Sequence, residues 1–471
     1  VKLSDLTPEQ WYGRLGTRIF RQAEAARRWE QYMDLEQPLV YVARILAEQE
    51  HRFPALLLPW ADLVIGSVNE RLKWESFLLE NEDPADDLNA LWQASDFDEQ
   101  ASEAHAAAMV SGRHFLMIGP GDGDLPLITS EYEGQVAVEV DPRTRQPIAG
   151  LKVWCEDLDL GGDILGALYL PGGRCYEFRN TKIERLSYVG DWSKVLEADT
   201  RLPSVPFVPM LNKPRRGEGR SDLVQLKPTL DAANQFATNL MAAGESHAVA
   251  RKWAVGVSEK DFVDSEGKPV DAWVAAMRAV WAVPHADPKF KGDEPPEVKL
   301  GQFTASDLAN FHNSIKMMAQ IASSGYGLPP NYMGYSSDNP PSAESILYSL
   351  ERLVLRTEDH QGWYGSAYKK ANAVAWVIKG GNPDEIRGHE VKWRSAATPT
   401  LASKMDVAVK GVQSGIYDNE HAWVIMGESE QTKKGLRERM GARGVQVAQT
   451  LRELDRVPVQ PEVPNAPALR S

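Results

Sequence analysis

The chain has 471 residues, too many for one ordinary core, so two to four domains or layers are expected. Hydrophobic residues make up 43% and charged residues 25%, the balance of a folded water-exposed protein, and no apolar run reaches the ~18 residues that span a bilayer. The net charge of −14 argues against a protein that grips nucleic acid by neutralising phosphates, though not against one that lets nucleic acid pass without sticking.

No secretion signal is recognisable, and the chain starts at Val1 rather than Met, so an initiator or short leader is expected to be removed or to lie outside this numbering. Residues 1–36 read as helical. Thr7, Pro8 and Gln10 give a capping box with proline at the first helical position. Ile19, Phe20, Ala23 and Ala26 continue an apolar face, while Arg18, Arg21, Arg27 and Arg28 form a solvated or partner-facing surface. FPALLLPWADLVIG (53–66) carries two prolines and an aspartate and reads as buried core, and LKWESFLL reads as a strand. Residues 83–112 read as helix stopping at Gly112, and HFLMIG (114–119) as a buried strand.

From about 114 to 200 the period switches to two. PLITSEYEG, QVAVEVDP, IAGLKVWCED, ILGALYLPGG and RCYEFRN are short strands separated by Gly, Pro and Asp turns, which predicts an antiparallel sheet of hairpins. Cys155 and Cys175 flank neighbouring strands and are expected to be free thiols. VPFVPMLNKPRRGEGRSDL (205–223) is a proline-punctuated crossover with the densest basic run of the chain, Lys213, Arg215, Arg216 and Arg220. Ser221 then caps a helix that Pro228 interrupts or kinks. RKWAVGV (251–257) reads as a strand, and 258–302 as a small insertion rich in Pro, Asp, Glu and Lys.

The chain is organised around residues 304–379. Thr304 and Asp307 have capping-box spacing, Leu308, Phe311, Ile315, Met318, Ala319 and Ala322 line one helix face, and Gly325 is the expected stop. Four prolines and three glycines from Gly325 to Ser342, both ends included, exclude a regular element there. A second helix follows to about Ile378; at 1.5 Å per residue its ~35 residues span roughly 50 Å. Gly362 and Gly365 are candidate kinks in it. EVKWRSA (390–396) reads as a strand, 399–456 as helices, and the Pro-rich end as extended or disordered.

Chemistry is hard to find. GPGDGDLP (119–126) lacks the Gly-Lys-Ser/Thr ending of a P-loop and the spacing of a calcium loop, so it reads as a turn. CEDLDLGGD (155–163) clusters four carboxylates, more readily solvated turn residues than metal ligands. The nine histidines are scattered, with none at i, i+4, and no G-x-S-x-G occurs. His312 reads as a satisfied side chain beside an apolar stripe.

The order of elements resembles the portal proteins of tailed double-stranded DNA bacteriophages of the long-tailed type. SDLVQLKPTLDAANQFATNLM after VPFVPMLNKP looks like the helix leading toward the stem, SDLANFHNSIKMMAQIASSG like the second stem helix, and LPPNYMGYSSDNPPSAES like the tunnel loop. AESILYSLERLVLRTEDHQGWYGSAYKKANAVAWVI looks like the long kinked helix after it, and KMDVAVKGVQSGIYDNEHAW like the start of the crown, with a Gly-turn before its second helix.

That resemblance implies an α+β portal fold in layers: wing at 1–220 and 343–398, stem helices at 221–248 and 304–325, clip at 249–303, tunnel loop at 326–342, crown at 399–456 and a tail at 457–471. It implies a ring, normally of twelve copies, at one capsid vertex in the virion, assembled in the host cytoplasm, with no catalytic activity, cofactor or metal. Double-stranded DNA passes through non-specifically; the partners are the major capsid protein, a head-tail adaptor and a terminase that supplies the ATPase, and no membrane. The expected channel residues are Pro330, Asn331, Tyr332, Met333, Tyr335, Ser336, Ser337, Asp338 and Asn339 in the loop, none of them Lys or Arg, and Lys299 and Lys316 along the stem. Two other classes compete: a multidomain cytoplasmic enzyme using the carboxylates near 156–163, and a DNA-binding module using Lys213, Arg215, Arg216 and Arg220.

Overall fold

A computed structural model describes Leu3 and residues 6–39, 55–81, 83–121, 125–155, 163–180, 192–200, 202, 204–248, 252–255, 299–302, 308–334, 342–397, 401–428, 432–433 and 435–441. The chain folds as two bodies, 1–396 and 397–471.

In the first body, helix α1 (Pro8–Met33) starts at the expected capping box, with the Thr7 hydroxyl accepting from Gln10 N and the Gln10 side chain accepting from Thr7 N. Trp11, Tyr12, Leu15 and Ile19 form its buried face. Two expectations on this helix fail: Phe20 is 46% exposed, and Arg18 turns inward, donating to Val138 O and pairing with Glu139. The guanidinium is drawn down by the strand carbonyl and carboxylate beneath it, while the apolar stripe drifts past position 20.

Helix α2 (Trp60–Asn69) buries Trp60, Val64, Ile65 and Val68, as the apolar run predicts. Strand β1 (Trp74–Leu78) follows. The helix expected over 83–112 is two helices, α3 (Asp86–Ala94) and α4 (Phe97–Ser111), because Asp96 sits at φ 50°, a left-handed conformation that ends one helix and starts the next. Gly112, at φ 91°, closes α4 as expected.

The hairpin region forms two sheets rather than one. Strands β2 (Arg113–Pro120) and β3 (Pro126–Glu131) pair with a third, described below. Strands β4 (Val136–Val140), β5 (Pro147–Cys155), β6 (Ile164–Leu170), β7 (Arg174–Asn180) and β8 (Ser193–Asp199) form a five-stranded antiparallel meander. The residue pattern does not predict β8; most of its residues are exposed, so no alternation marks it. Cys155 and Cys175 are free thiols on β5 and β7. The proline-punctuated crossover contains strand β9 (Phe207–Leu211), which completes the order β3-β2-β9; Pro209 is tolerated because β9 is an edge.

Helix α5 (Leu223–Ala248) carries Pro228 in its first two turns and begins with Ser221 Oγ accepting from Leu223 N. Strands β10 (Lys252–Val255) and β11 (Lys299–Gln302) pair antiparallel. The insertion between them, the turn 122–124, the carboxylate cluster 156–162, the Thr304–Asp307 cap and the tail lie outside the described residues.

Helix α6 (Ala309–Tyr326) packs along α5, and helix α7 (Ala343–Ile378) runs 36 residues without interruption, through Gly362 and Gly365. Ser342 caps α7 by accepting from Ser345 N. Strand β12 (Glu390–Trp393) returns to pair with β1, Trp74 against Trp393. The main core gathers α2, α3, α4, β2, α5, α6 and α7 around the fully buried Trp92, Tyr364 and Tyr368. A second core lies between α1 and the five-stranded sheet. Among the described residues no helix is long and apolar enough to cross a membrane.

In the second body, α8 (Leu401–Gln413) and α9 (Asn419–Met426) pack together across a turn at Gly415, φ 72°. Asp418 caps α9 by accepting from His421 N.

Candidate functional site

The loop between α6 and α7 is held from below by a buried cluster of charge. Asp222, fully buried at the start of α5, is the centre. Lys213, just past β9, forms an ion pair with its Oδ1. Arg356 Nη2 on α7 lies 2.9 Å from the same oxygen, off the N–H axis, so that contact is Coulombic rather than a directed hydrogen bond. His360 Nε2, one turn along α7, lies 3.1 Å from Oδ2. The Tyr326 hydroxyl, at the end of α6, donates to the Asp222 carbonyl at 2.5 Å, and the Arg356 guanidinium stacks 4.6 Å above the Tyr326 ring. Asp222 N donates to Met109 O of α4.

Burial alone would raise the Asp222 pKa. The His360 hydrogen bond and the charges of Arg356 and Lys213 outweigh it and hold the carboxyl well below the usual carboxylate range. A second ring of partners closes the site. Asn212 Oδ1 accepts from the Tyr364 hydroxyl at 3.0 Å, Asn212 Nδ2 donates to Arg220 O, and His105 stacks on Tyr364 with ring centroids 5.1 Å apart. Burial lowers the His105 pKa to about 3, so this imidazole is neutral and packs as an aromatic.

The loop leaves α6 from this cluster. The stop is Gly327, φ 67°, not Gly325. A Cβ at Gly327 would lie 2.6 Å from Arg352 Cβ, so glycine is required there, whereas a Cβ at Gly325 meets nothing within 4 Å and the helix runs on. Ser323 Oγ donates to Leu328 O, and Leu328 is buried. The Pro/Gly-rich stretch then makes one regular turn, a 3-10 helix at Pro330–Met333, correcting the expectation that none survives; Tyr332 N donates to Pro329 O.

Of the expected channel residues, Pro330 opens that turn, Asn331 is exposed, Tyr332 packs against the core with its hydroxyl 3.5 Å from Arg71 Nη2, and Met333 is 8% exposed within the core. Tyr335, Ser336, Ser337, Asp338 and Asn339 lie outside the described residues. Lys316 is exposed on α6, and Lys299 stands opposite Val255 in the β10–β11 pair. The structure brings Tyr332 and Met333 together as loop anchors and leaves Lys299 and Lys316 on separate elements. No sequence signal singles out Asp222, Arg356, His360, Tyr326 or Asn212. They come from four separate segments, Arg356 and His360 sharing one turn of α7, and only Lys213 stands out, as part of a basic run. Its ammonium is committed to Asp222, so that run is not one free cationic patch.

Comparison with known proteins identifies the family. The family model for phage portal proteins, SPP1 Gp6-like, matches residues 44–438. The portal protein of Mycobacterium phage L5 is 31% identical over 430 residues, covering 86% of this chain and 82% of that protein, and the portal protein of Mycobacterium phage D29 is 31% identical over 429 residues with the same coverage. Among solved structures, the neck of an empty GTA particle computed with C6 symmetry matches with a TM-score of 0.47 at 13% identity, covering 83% of this chain and 95% of that one. The virion of a native gene transfer agent particle matches with a TM-score of 0.45 at 15% identity, covering 83% and 96%. With a family model spanning most of its length and curated relatives alike over most of theirs, the chain belongs to the phage portal protein family.

Proposed function

We propose that twelve copies form the ring at the capsid vertex, and that the loop between α6 and α7 stands at the narrowest part of its channel. As a portal protein the chain is a conduit for double-stranded DNA. In this reading terminase docks on the ring during packaging, an adaptor replaces it afterwards, and the major capsid protein surrounds the wing. Residues 399–456 form the crown, α5 and α6 the stem, and β10 and β11 the root of the clip. Lys299 and Lys316 face the channel and temper its acidity.

The observation that carries the loop assignment is its mounting. Both ends are fixed, at Gly327 with Tyr326 tied to Asp222 and at the Ser342 cap of a 36-residue helix. Met333 anchors the near limb in the core. A loop held at both ends on rigid helices is kept at a set distance from the ring axis. In sequence, Tyr335–Asn339 between those two ends include no Lys or Arg, which suits a sliding contact with phosphates.

Deleting 335–339 is the cleaner test than deleting 331–339, because Met333 belongs to the core. The shortened chain is expected to assemble like the parent, near about 628 kDa for twelve 52.3 kDa chains, and to fail in packaging or retaining DNA. Loss of assembly would make the loop a structural element and displace it from the channel.

A further inference from the structure

Two helix faces in the body 1–396 have apolar centres left open to solvent. On α6, Met317 and Ile321 are one turn apart and 50% and 51% exposed, on the side turned away from the buried Ala319, Ala322 and Tyr326. Their exposed neighbours on that face, Asn313, Gln320 and Ser324, are uncharged, and α6 contains no carboxylate. On α7, Tyr348 and Leu355 are 76% and 55% exposed and stand seven residues apart, two helical turns, with Gly362 seven further on. That stripe lies opposite the buried Leu353, Thr357, His360 and Tyr364 and is flanked by three exposed carboxylates, Glu351, Glu358 and Asp359, and by one cation, Arg352, which donates to Ser324 O of the same chain.

Gly362 adds an independent observation. A glycine inside a helix weakens it relative to alanine. A Cβ at Gly362 would meet nothing within 4 Å, so nothing around it in the chain needs the missing side chain. A second helix packed closely across this face would.

We propose that these faces meet between successive copies of the chain, the Met317/Ile321 face of α6 on one copy against the Tyr348/Leu355/Gly362 face of α7 on the next. The inference rests on the ring reading and names its contact. Two different patches on one chain make a heterologous contact, which a rotation repeats into a ring, whereas one patch meeting itself gives a two-fold dimer. The charges select the first arrangement. Pairing α7 with α7 would set Glu351, Glu358 and Asp359 against their own copies, while pairing it with α6 sets them against a face without carboxylates and with Lys316 on its shoulder. The occupant is therefore a second copy, offering an apolar, carboxylate-free helix.

The test is covalent capture in the assembled protein with a short bis-maleimide. The double variant Ile321→Cys/Leu355→Cys is expected to give a ladder of covalent multimers. A mixture of the two single variants should stop at dimers, and each single variant alone should match the wild-type chain with its native Cys155 and Cys175. Gly362→Leu, which has room in the isolated chain, should keep the parent's circular dichroism and lose the ring. A ring of wild-type mass that neither cross-links nor responds to Gly362→Leu would overturn the contact and leave the ring reading standing. A wild-type chain that stays monomeric at every concentration would overturn both.

Discussion

Asp222 joins the start of α5, the end of α6, the middle of α7 and the end of β9 through one carboxylate. Removing its charge leaves Arg356, 13% exposed, and Lys213 facing each other without a counter-ion. Breaking a buried ion pair on one side costs about 3–5 kcal/mol, so Asp222→Asn should destabilise the first body by that order, read by urea denaturation at pH 7. The pH dependence has a definite sign. The folded carboxyl is held below its ordinary value of 3.8, so its contribution is complete above about pH 4 and drains away as pH falls toward the folded value. The difference between parent and variant should therefore be constant from pH 7 to about 5 and narrow at pH 3. A difference that is the same at pH 3 and pH 7 would mean that the ionised carboxylate is not what ties the helices together. Nothing local announces this residue, because Lys213, Tyr326 and the Arg356/His360 turn of α7 reach it from three separate parts of the chain. By contrast Thr7 and Gln10 act on backbone within three residues, and their capping box is readable from spacing alone.

The long helix α7 is the element the fold hangs on, and its two central glycines divide its faces. Gly362 looks into open space, while a Cβ at Gly365 would stand 3.3 Å from Trp393 Nε1 and 3.7 Å from Val391, both on β12. Alanine in place of a helix-interior glycine gains about 0.5–1 kcal/mol where it fits. In the unassembled chain, where no neighbouring copy covers it, Gly362→Ala should show that gain as a raised melting temperature. Gly365→Ala should show little or none, since Trp393 must move. Equal gains at both positions would mean that β12 does not press on the helix. Sequence reading places α7 within a residue or so, because the prolines that precede it and its 3.6-residue period are both local. It treats the two glycines alike, as kinks, because what separates them is a strand that arrives later in the chain. The same limit explains the single helix expected over 83–112: the turn rests on the left-handed Asp96, a conformation no residue pattern requires. It also explains β9, whose prolines suggest a crossover until the sheet edge makes them acceptable.

At the scale of the whole molecule, charge governs how a conduit treats the polymer inside it. In the proposed ring, a chain of net charge −14 repeated around a channel would build a wall that repels phosphates, and Tyr335–Asn339, which include no Lys or Arg, would add no grip. Tight capture would oppose movement, because each neutralised phosphate must be released before the next step. The assembled protein should therefore bind linear double-stranded DNA more weakly than about 10⁻⁴ M at physiological salt, the weak end of non-specific binding. Fluorescence anisotropy across a salt series checks this directly. Each neutralised phosphate steepens the plot of log affinity against log salt by about 0.9, so the expected slope is close to zero. A slope reporting several phosphates would expose a cationic surface that total charge conceals. Lys316→Glu and Arg215→Glu would then locate it: a loss through Lys316 puts the grip on α6, and a loss through Arg215 puts it on the loop after β9, where the neighbouring Lys213 is already paired with Asp222. The second result would turn the DNA-binding reading of that basic run from a competitor into a property of the portal.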